Sequence, residues 1–171
     1  MDRREFVWSC AAFAGMTCLP GCGTVERPEG MPELVPVKLT ITQGGQPLAG
    51  ANVRLFTKDL SLKWAVGGIT DDRGVATMRT HGQFEGAPEG EYVVLVQKTE
   101  IQGGEDLGPE PTDPVEKMKW NDQRNASSKE FNLVDPKFGD VKSCDLTVKV
   151  AGATEANFDV GEAVHIELKK V

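Results

Sequence analysis

The residues able to do covalent or ligating chemistry are few: four cysteines, two histidines and one tyrosine among 171 residues. Cys10, Cys18 and Cys22 crowd into the first 22 positions, in an apolar stretch followed by a turn, and Cys144 stands far from them. That spacing supplies no paired ligands for zinc, and only His81 and His165 are available to complete a set. Cys144 fits a small apolar residue packed in a strand or a reactive thiol; with no neighbouring His or Cys, packing is the better fit. His81 follows a strand at a loop with Gly82, and His165 falls at an outward position of the last strand. Both suit solvated or capping roles better than ligation. Asp71-Asp72 could contribute to a calcium site, but no Asp-x-Asp-x-Asp-Gly run completes the six or more oxygens, so a turn role is expected. Trp64 and Trp120 could form a platform for stacking sugars. Trp64 reads as core, and Trp120, in the polar Lys117–Arg124 stretch, as the better exposed candidate. There is no Gly-x-Ser-x-Gly elbow, no His-Glu-x-x-His helix and no phosphate-binding glycine loop. Catalytic, cofactor-binding and metal residues are therefore expected to be none.

Cys22 ends a distinctive segment. Arg3 and Arg4 head it, and Phe6 to Leu19 is a run of 14 residues without a charged side chain. As a helix this run would span about 21 Å, short of the roughly 30 Å hydrocarbon core, so it fits a signal-peptide core better than a permanent membrane span. Leu19-Pro20-Gly21-Cys22 resembles a lipobox, in which the cysteine receives diacylglycerol before cleavage on its N-terminal side; Pro20 stands where a small or hydroxyl residue is commoner. The resemblance implies a bacterial lipoprotein with Cys22 as its acylated first residue. An ordinary cleaved signal or an uncleaved apolar N-terminus is the alternative. The head Arg3-Arg4-Glu5-Phe6-Val7 resembles a twin-arginine export motif, although Asp2 occupies a position where Ser or Thr is usual. Asp2 and Glu5 cancel the two arginines, which favours a receptor-read pair over a bulk-charge head; general secretion stays open. Twin-arginine export would imply folding before translocation.

Loss of residues 1–21 removes two basic and two acidic residues, so the net charge of −7 is unchanged. Such a surface gives no footprint for nucleic acid and no polybasic second anchor, leaving the acyl chains on Cys22 to hold the membrane alone. Residues 22–36, with three prolines, read as a flexible tether. From 37 onward the period is two. Val37, Leu39 and Ile41 alternate with polar residues, as do Val53 and Leu55 in Ala51–Thr57. Asp71-Asp72-Arg73-Gly74 marks a turn into Val75–Thr80, and Pro88-Glu89-Gly90 a turn into Glu91–Lys98, whose nearly continuous apolar character predicts a central strand. Cys144–Val150 and Ala163–Val171 alternate again. Residues 99–130 break the pattern with glycines and three prolines and read as a loop insertion, with a short helical turn possible around Val115–Trp120. About seven short strands between Gly/Pro turns predict an all-β antiparallel sandwich, immunoglobulin-like in outline, over 37–171.

Three segments carry a family resemblance. Gly45-Gln46-Pro47-Leu48-Ala49-Gly50-Ala51-Asn52-Val53, Thr70-Asp71-Asp72-Arg73-Gly74-Val75-Ala76 and Pro88-Glu89-Gly90-Glu91-Tyr92-Val93-Val94 resemble, in order, segments of carboxypeptidase-regulatory-like domains, with Ala76 where an aromatic is usual. Leu133–Phe138 through Leu146-Thr147-Val148 looks like the closing segment of lipoproteins carrying such a domain. The resemblance implies a transthyretin-like sandwich. One tyrosine, Tyr92, cannot supply the paired tyrosines of intradiol dioxygenases, and the Leu168-Lys169-Lys170-Val171 ending lacks the Tyr-Arg-Gly-Ser of hydroxyisourate hydrolases. The expected role is thus a non-catalytic binding or structural accessory module. It would be anchored in the cell envelope, facing the periplasm or exterior, with an envelope protein or surface polymer as partner. A carbohydrate-binding domain is the alternative, and a hydrolase with a dispersed loop site the less favoured one. Asn125-Ala126-Ser127 matches a glycosylation sequon, which has little force beside a bacterial signal.

Overall fold

The computed structural model describes residues 26–57, 63–104 and 106–168. Arg3, Arg4, Phe6, Leu19, Pro20, Gly21 and Cys22, the candidate export and lipidation residues, lie outside the described residues. In chain order the strands are β1 (Leu34–Val35), β2 (Val37–Gln43), β3 (Gln46–Pro47), β4 (Asn52–Thr57), β5 (Val66–Ile69), β6 (Val75–Thr77) and β7 (Arg79–Thr80). Then come β8 (Phe84–Glu85), β9 (Ala87–Pro88), β10 (Gly90–Gln97) and β11 (Thr99–Gly103). Helix α1 (Pro114–Ser127) precedes β12 (Ser128–Asn132), a 3-10 turn over Pro136–Gly139, β13 (Thr147–Val150), β14 (Thr154–Asp159) and β15 (Ile166–Glu167).

The architecture is an all-β sandwich. One sheet has six strands in the order β13-β10-β4-β5-β7-β8, and a second, smaller one joins β14, β2, β6 and β3; β1-β9 and β11-β12-β15 form a two-stranded and a three-stranded sheet beside them. The period of two explains the layers directly. Val37, Leu39 and Ile41 of β2 and Val53 and Leu55 of β4 turn inward and are buried, while Lys38, Asn52 and Arg54 face out. Full burial of each such aliphatic side chain contributes about 1.5–3 kcal/mol. β10 is central as expected, hydrogen-bonded to β4 on one side and β13 on the other, with Tyr92, Val93, Val94 and Val96 buried. The Tyr92 hydroxyl donates to the Pro88 carbonyl at 2.8 Å, in the manner of a tyrosine corner, and burial pushes its pKa up.

The expected single strand over Val75–Thr80 is two pieces. Val75–Thr77 pairs with β2 in the smaller sheet, and Arg79–Thr80 pairs with β5 in the larger. Met78, fully buried, makes the crossing, with its N–H on the Val37 carbonyl and its own carbonyl accepting from Gly86 N. Gly68 makes room for it, since a Cβ there would lie 2.8 Å from the Thr77 carbonyl.

Four other expectations change. One pair is parallel: β14 runs beside β2, Thr154 opposite Val37 and Asp159 opposite Thr42, and nothing in the weakly apolar 154–159 sequence marks it as a strand. The tether ends sooner, because Leu34–Val35 bridges to Ala87–Pro88. Of the strand expected over Ala163–Val171, the described residues form only Ile166–Glu167, paired with β12, and 169–171 lie outside the described residues. The 99–130 region is structured: β11 and β12 form an antiparallel pair, and α1 extends over 14 residues. Its helix start rests on capping rather than on an apolar face. The Asp113 carboxylate accepts from Val115 and Glu116 N–H at 2.9 and 3.1 Å, Pro114 follows, and no helix residue is buried.

Asp159 ties together the ends of β2 and β14 and the turn that follows β2. Its carboxylate accepts from the Thr42 hydroxyl (2.8 Å), Gly45 N (3.0 Å) and Gly161 N (2.7 Å). These bonds, the Thr42 hydroxyl first, hold its pKa below the ordinary 3.8. Asp71 is lowered likewise by Val75 N–H and then by Arg73. A carboxylate with a depressed folded pKa contributes stability that is present above its unfolded pKa and lost as pH falls through the folded one. The melting temperature is therefore expected to be level above about pH 5 and to fall as pH drops below about 4. Asp159→Asn should flatten that acid limb. An acid limb in Asp159→Asn as steep as in the parent protein contradicts the clamp.

Candidate functional site

The outward face of the six-stranded sheet carries an open groove of about 660 Å³. Cross-strand register builds it. Arg54 of β4 lies opposite Gly67 of β5, and Gly67 lies opposite Arg79 of β7. Directly paired residues share a face, so two arginines flank a glycine across three strands, their Cα atoms about 10 Å apart at ordinary strand spacing. The missing side chain at Gly67 keeps the floor low. A Cβ there would sit 3.2 Å from the Val53 carbonyl and 3.9 Å from Arg54 Cγ.

Each guanidinium is available. Arg54 Nε donates to Asn52 Oδ1 at 3.3 Å, which steers the side chain along its strand. Arg54 and Arg79 are exposed, and among the described residues neither forms an ion pair. Among the described residues the acidic neighbours are Asp71, at the groove lining, and Glu85, opposite Arg79 on β8. Asp71 is engaged by the N–H groups of Arg73 and Val75 and lies 3.6 Å from the Arg73 guanidinium. The turn role expected for Asp71-Asp72 is what the hydrogen bonds show.

His81 reaches the groove from the β7–β8 turn. It adopts φ 53, a left-handed conformation unusual for a side-chain-bearing residue, and its N–H bonds to the Ala65 carbonyl at 2.8 Å. Its exposed ring meets Trp64 edge-on at 5.2 Å, and Trp64 is half-buried. No described carboxylate makes an ion pair with His81.

The other singled-out residues lie elsewhere. His165 stacks on Phe131 at 4.0 Å beside β15. Trp120 differs from expectation: it is half-buried, Arg124 covers its ring at 5.3 Å, and its indole nitrogen is shielded from solvent. It does not offer the flat exposed plate that sugar stacking requires. Cys144 is half-buried, with Sγ 3.2 Å from the Val94 carbonyl, and burial raises its pKa. A thiol so placed packs against the central strand and is poorly ionised. Among the described residues no group of three His, Cys, Asp or Glu side chains converges as a metal site would, and no helix is long and apolar enough to cross a membrane.

No local sequence pattern singles out Arg54 or Arg79 as site residues. The one available signal was Gly67-Gly68 inside a strand-like run, a mark of close backbone approach. Compared with known protein families, curated proteins and solved structures, the chain matches none.

Proposed function

We propose that the chain is an envelope lipoprotein, acylated at Cys22, whose sandwich acts as a non-catalytic binding module. The groove over β4, β5 and β7 is its ligand-contacting face. The single observation behind this reading is the Arg54–Gly67–Arg79 row, two unpaired cations beside a bare stretch of backbone on an otherwise acidic protein. Carboxypeptidase-regulatory-like ancestry remains part of the proposal. It is supported by the roles of the three resembling segments, which form the β3–β4 entry, the Asp71–Gly74 turn and the Tyr92 corner. Anchorage has its own support in the Leu19-Pro20-Gly21-Cys22 sequence and in the lack of any other basic membrane-binding cluster.

Radiolabelled fatty acid fed to expressing cells is expected to appear on the protein and to vanish in Cys22→Ala. Label that persists in the variant would refute the anchor. Crosslinking through a photoreactive residue at Ile69, which lines the groove and is 68% exposed, tests the binding face. Adducts in intact cells support the groove, and none at Ile69 beside abundant adducts at Met118 on α1 overturns it.

A further inference from the structure

We propose that the groove binds a linear acidic glycan through its carboxylates, with Arg54 and Arg79 as the two recognition points. This rests on the reading of the groove as the ligand-contacting face. Three observations carry it.

The charges come first. A guanidinium presents a planar fork that matches a carboxylate with two parallel hydrogen bonds. Two such forks in one row, separated by a glycine, suit a ligand with repeated acidic groups rather than a single small anion. The net charge of −7 repels polyanions in general, so binding depends on local contacts such as this row supplies.

The backbone comes second. β5 is hydrogen-bonded on both sides, to β4 and to β7. A peptide strand docks by adding to a free sheet edge. At Val66 and Gly67 β5 offers no edge, so recognition there runs through side chains and the exposed surface of Gly67, which favours a glycan over an extended peptide.

Shape is the third. The groove is open, as a polymer that enters and leaves at both ends requires, and Ile69 and the ring of His81 give it apolar patches for the faces of sugar rings. Glu85 opposes such a ligand. It stands one strand beyond Arg79, unpaired with it, and limits the positive field on that side.

The test uses the detergent-extracted full chain and polygalacturonate as probe, with its methyl ester as a neutral copy and inorganic polyphosphate as a second polyanion. Binding is read by titration calorimetry at about 0.1 M salt, where screening still leaves attraction at contact distance. Polygalacturonate should bind, the ester should not, and Arg54→Ala or Arg79→Ala should each weaken binding about tenfold, the double variant more. Arg→Lys at both positions should recover only part of it, since lysine lacks the fork. Glu85→Gln should tighten it. Both arginines are exposed, so melting temperatures within a few degrees of the parent show that the variants fold.

Equal binding of acid and ester, lost in the arginine variants, overturns the carboxylate assignment and leaves the groove as the binding face. Polyphosphate binding as tight as polygalacturonate overturns the glycan assignment. Binding indifferent to both arginines, or none by the parent protein, overturns the inference altogether, and crosslinking at Ile69 then decides separately whether the groove binds anything.

Discussion

Gly74→Ala is expected to destabilise the protein by about 2–5 kcal/mol, the left-handed backbone and the overpacking each contributing a share. Gly74 has φ +75, and an added Cβ would lie 2.5 Å from the Ile41 carbonyl, 3.1 Å from Leu48 N and 3.3 Å from Pro47 Cα. All three are backbone atoms, so no side-chain rotation relieves the contact. The same place holds two hydrogen bonds, Ile41 N to the Gly74 carbonyl at 2.8 Å and Leu48 N to the Ile41 carbonyl at 3.0 Å. Moving the chain to admit a methyl group therefore loosens β2 where β3 and β6 both join it. Gly50→Ala is the control: φ is +68 but nothing lies within 4 Å of its Cβ, so a loss of about 1 kcal/mol is expected. Urea unfolding midpoints measure both, and equal losses would show that the close approach at Gly74 carries no energy.

Thr70→Val is expected to cost about 2–4 kcal/mol, because one buried hydroxyl satisfies two backbone groups. Thr70 Oγ1 donates to the Leu48 carbonyl at 2.6 Å and accepts from Ala51 N at 2.8 Å, and the residue is 4% exposed. Valine keeps the volume and removes both bonds, leaving a donor and an acceptor unpaired in the core. Thr70→Ser keeps the hydroxyl and should lose no more than about 1 kcal/mol for the missing methyl. If serine proves as damaging as valine, methyl packing and not the hydroxyl holds the turn.

Both positions belong to segments that the sequence marks as turns, and the reason lies in what a sequence records. Turn chemistry is local: Gly74 and Asp71 announce themselves within four residues. Strands that alternate cleanly, such as β2 and β4, carry their burial in the same short window. Three features have no such window. β14 has only Phe158 as a large apolar residue, and its place is set by a partner far away in the chain. The crossing at Met78 splits an apparently uniform strand because the two sheets diverge there, which is a fact about packing rather than period. Helix α1 buries nothing, so it shows no apolar stripe, although Asp113-Pro114 marks its start.

The groove belongs to the same class. Arg54 and Arg79 are each ordinary outward residues of a half-buried strand, and only the ladders through Gly67 bring them into one row. Trp120 failed in the opposite direction: its polar neighbours suggested an exposed ring, and one of them, Arg124, covers it. A side chain's company in sequence and its company in space differ most where a helix lets residues four apart meet.

The parallel pairing of β14 with β2 also orders events in time. Thr42 and Asp159, bonded across that pair, are 117 residues apart. A chain made from its N-terminus has β2 available early, yet the strand that covers this side of it exists only after residue 159 has been added. Until then β2 keeps an unpaired edge, the kind of edge that recruits other chains. Closing so long a loop is also slow, since its entropy is lost before the contacts that reward it form. The finished sandwich is thus a product of the completed chain, and a polypeptide stopped before Thr154 is expected to aggregate rather than persist as a smaller domain.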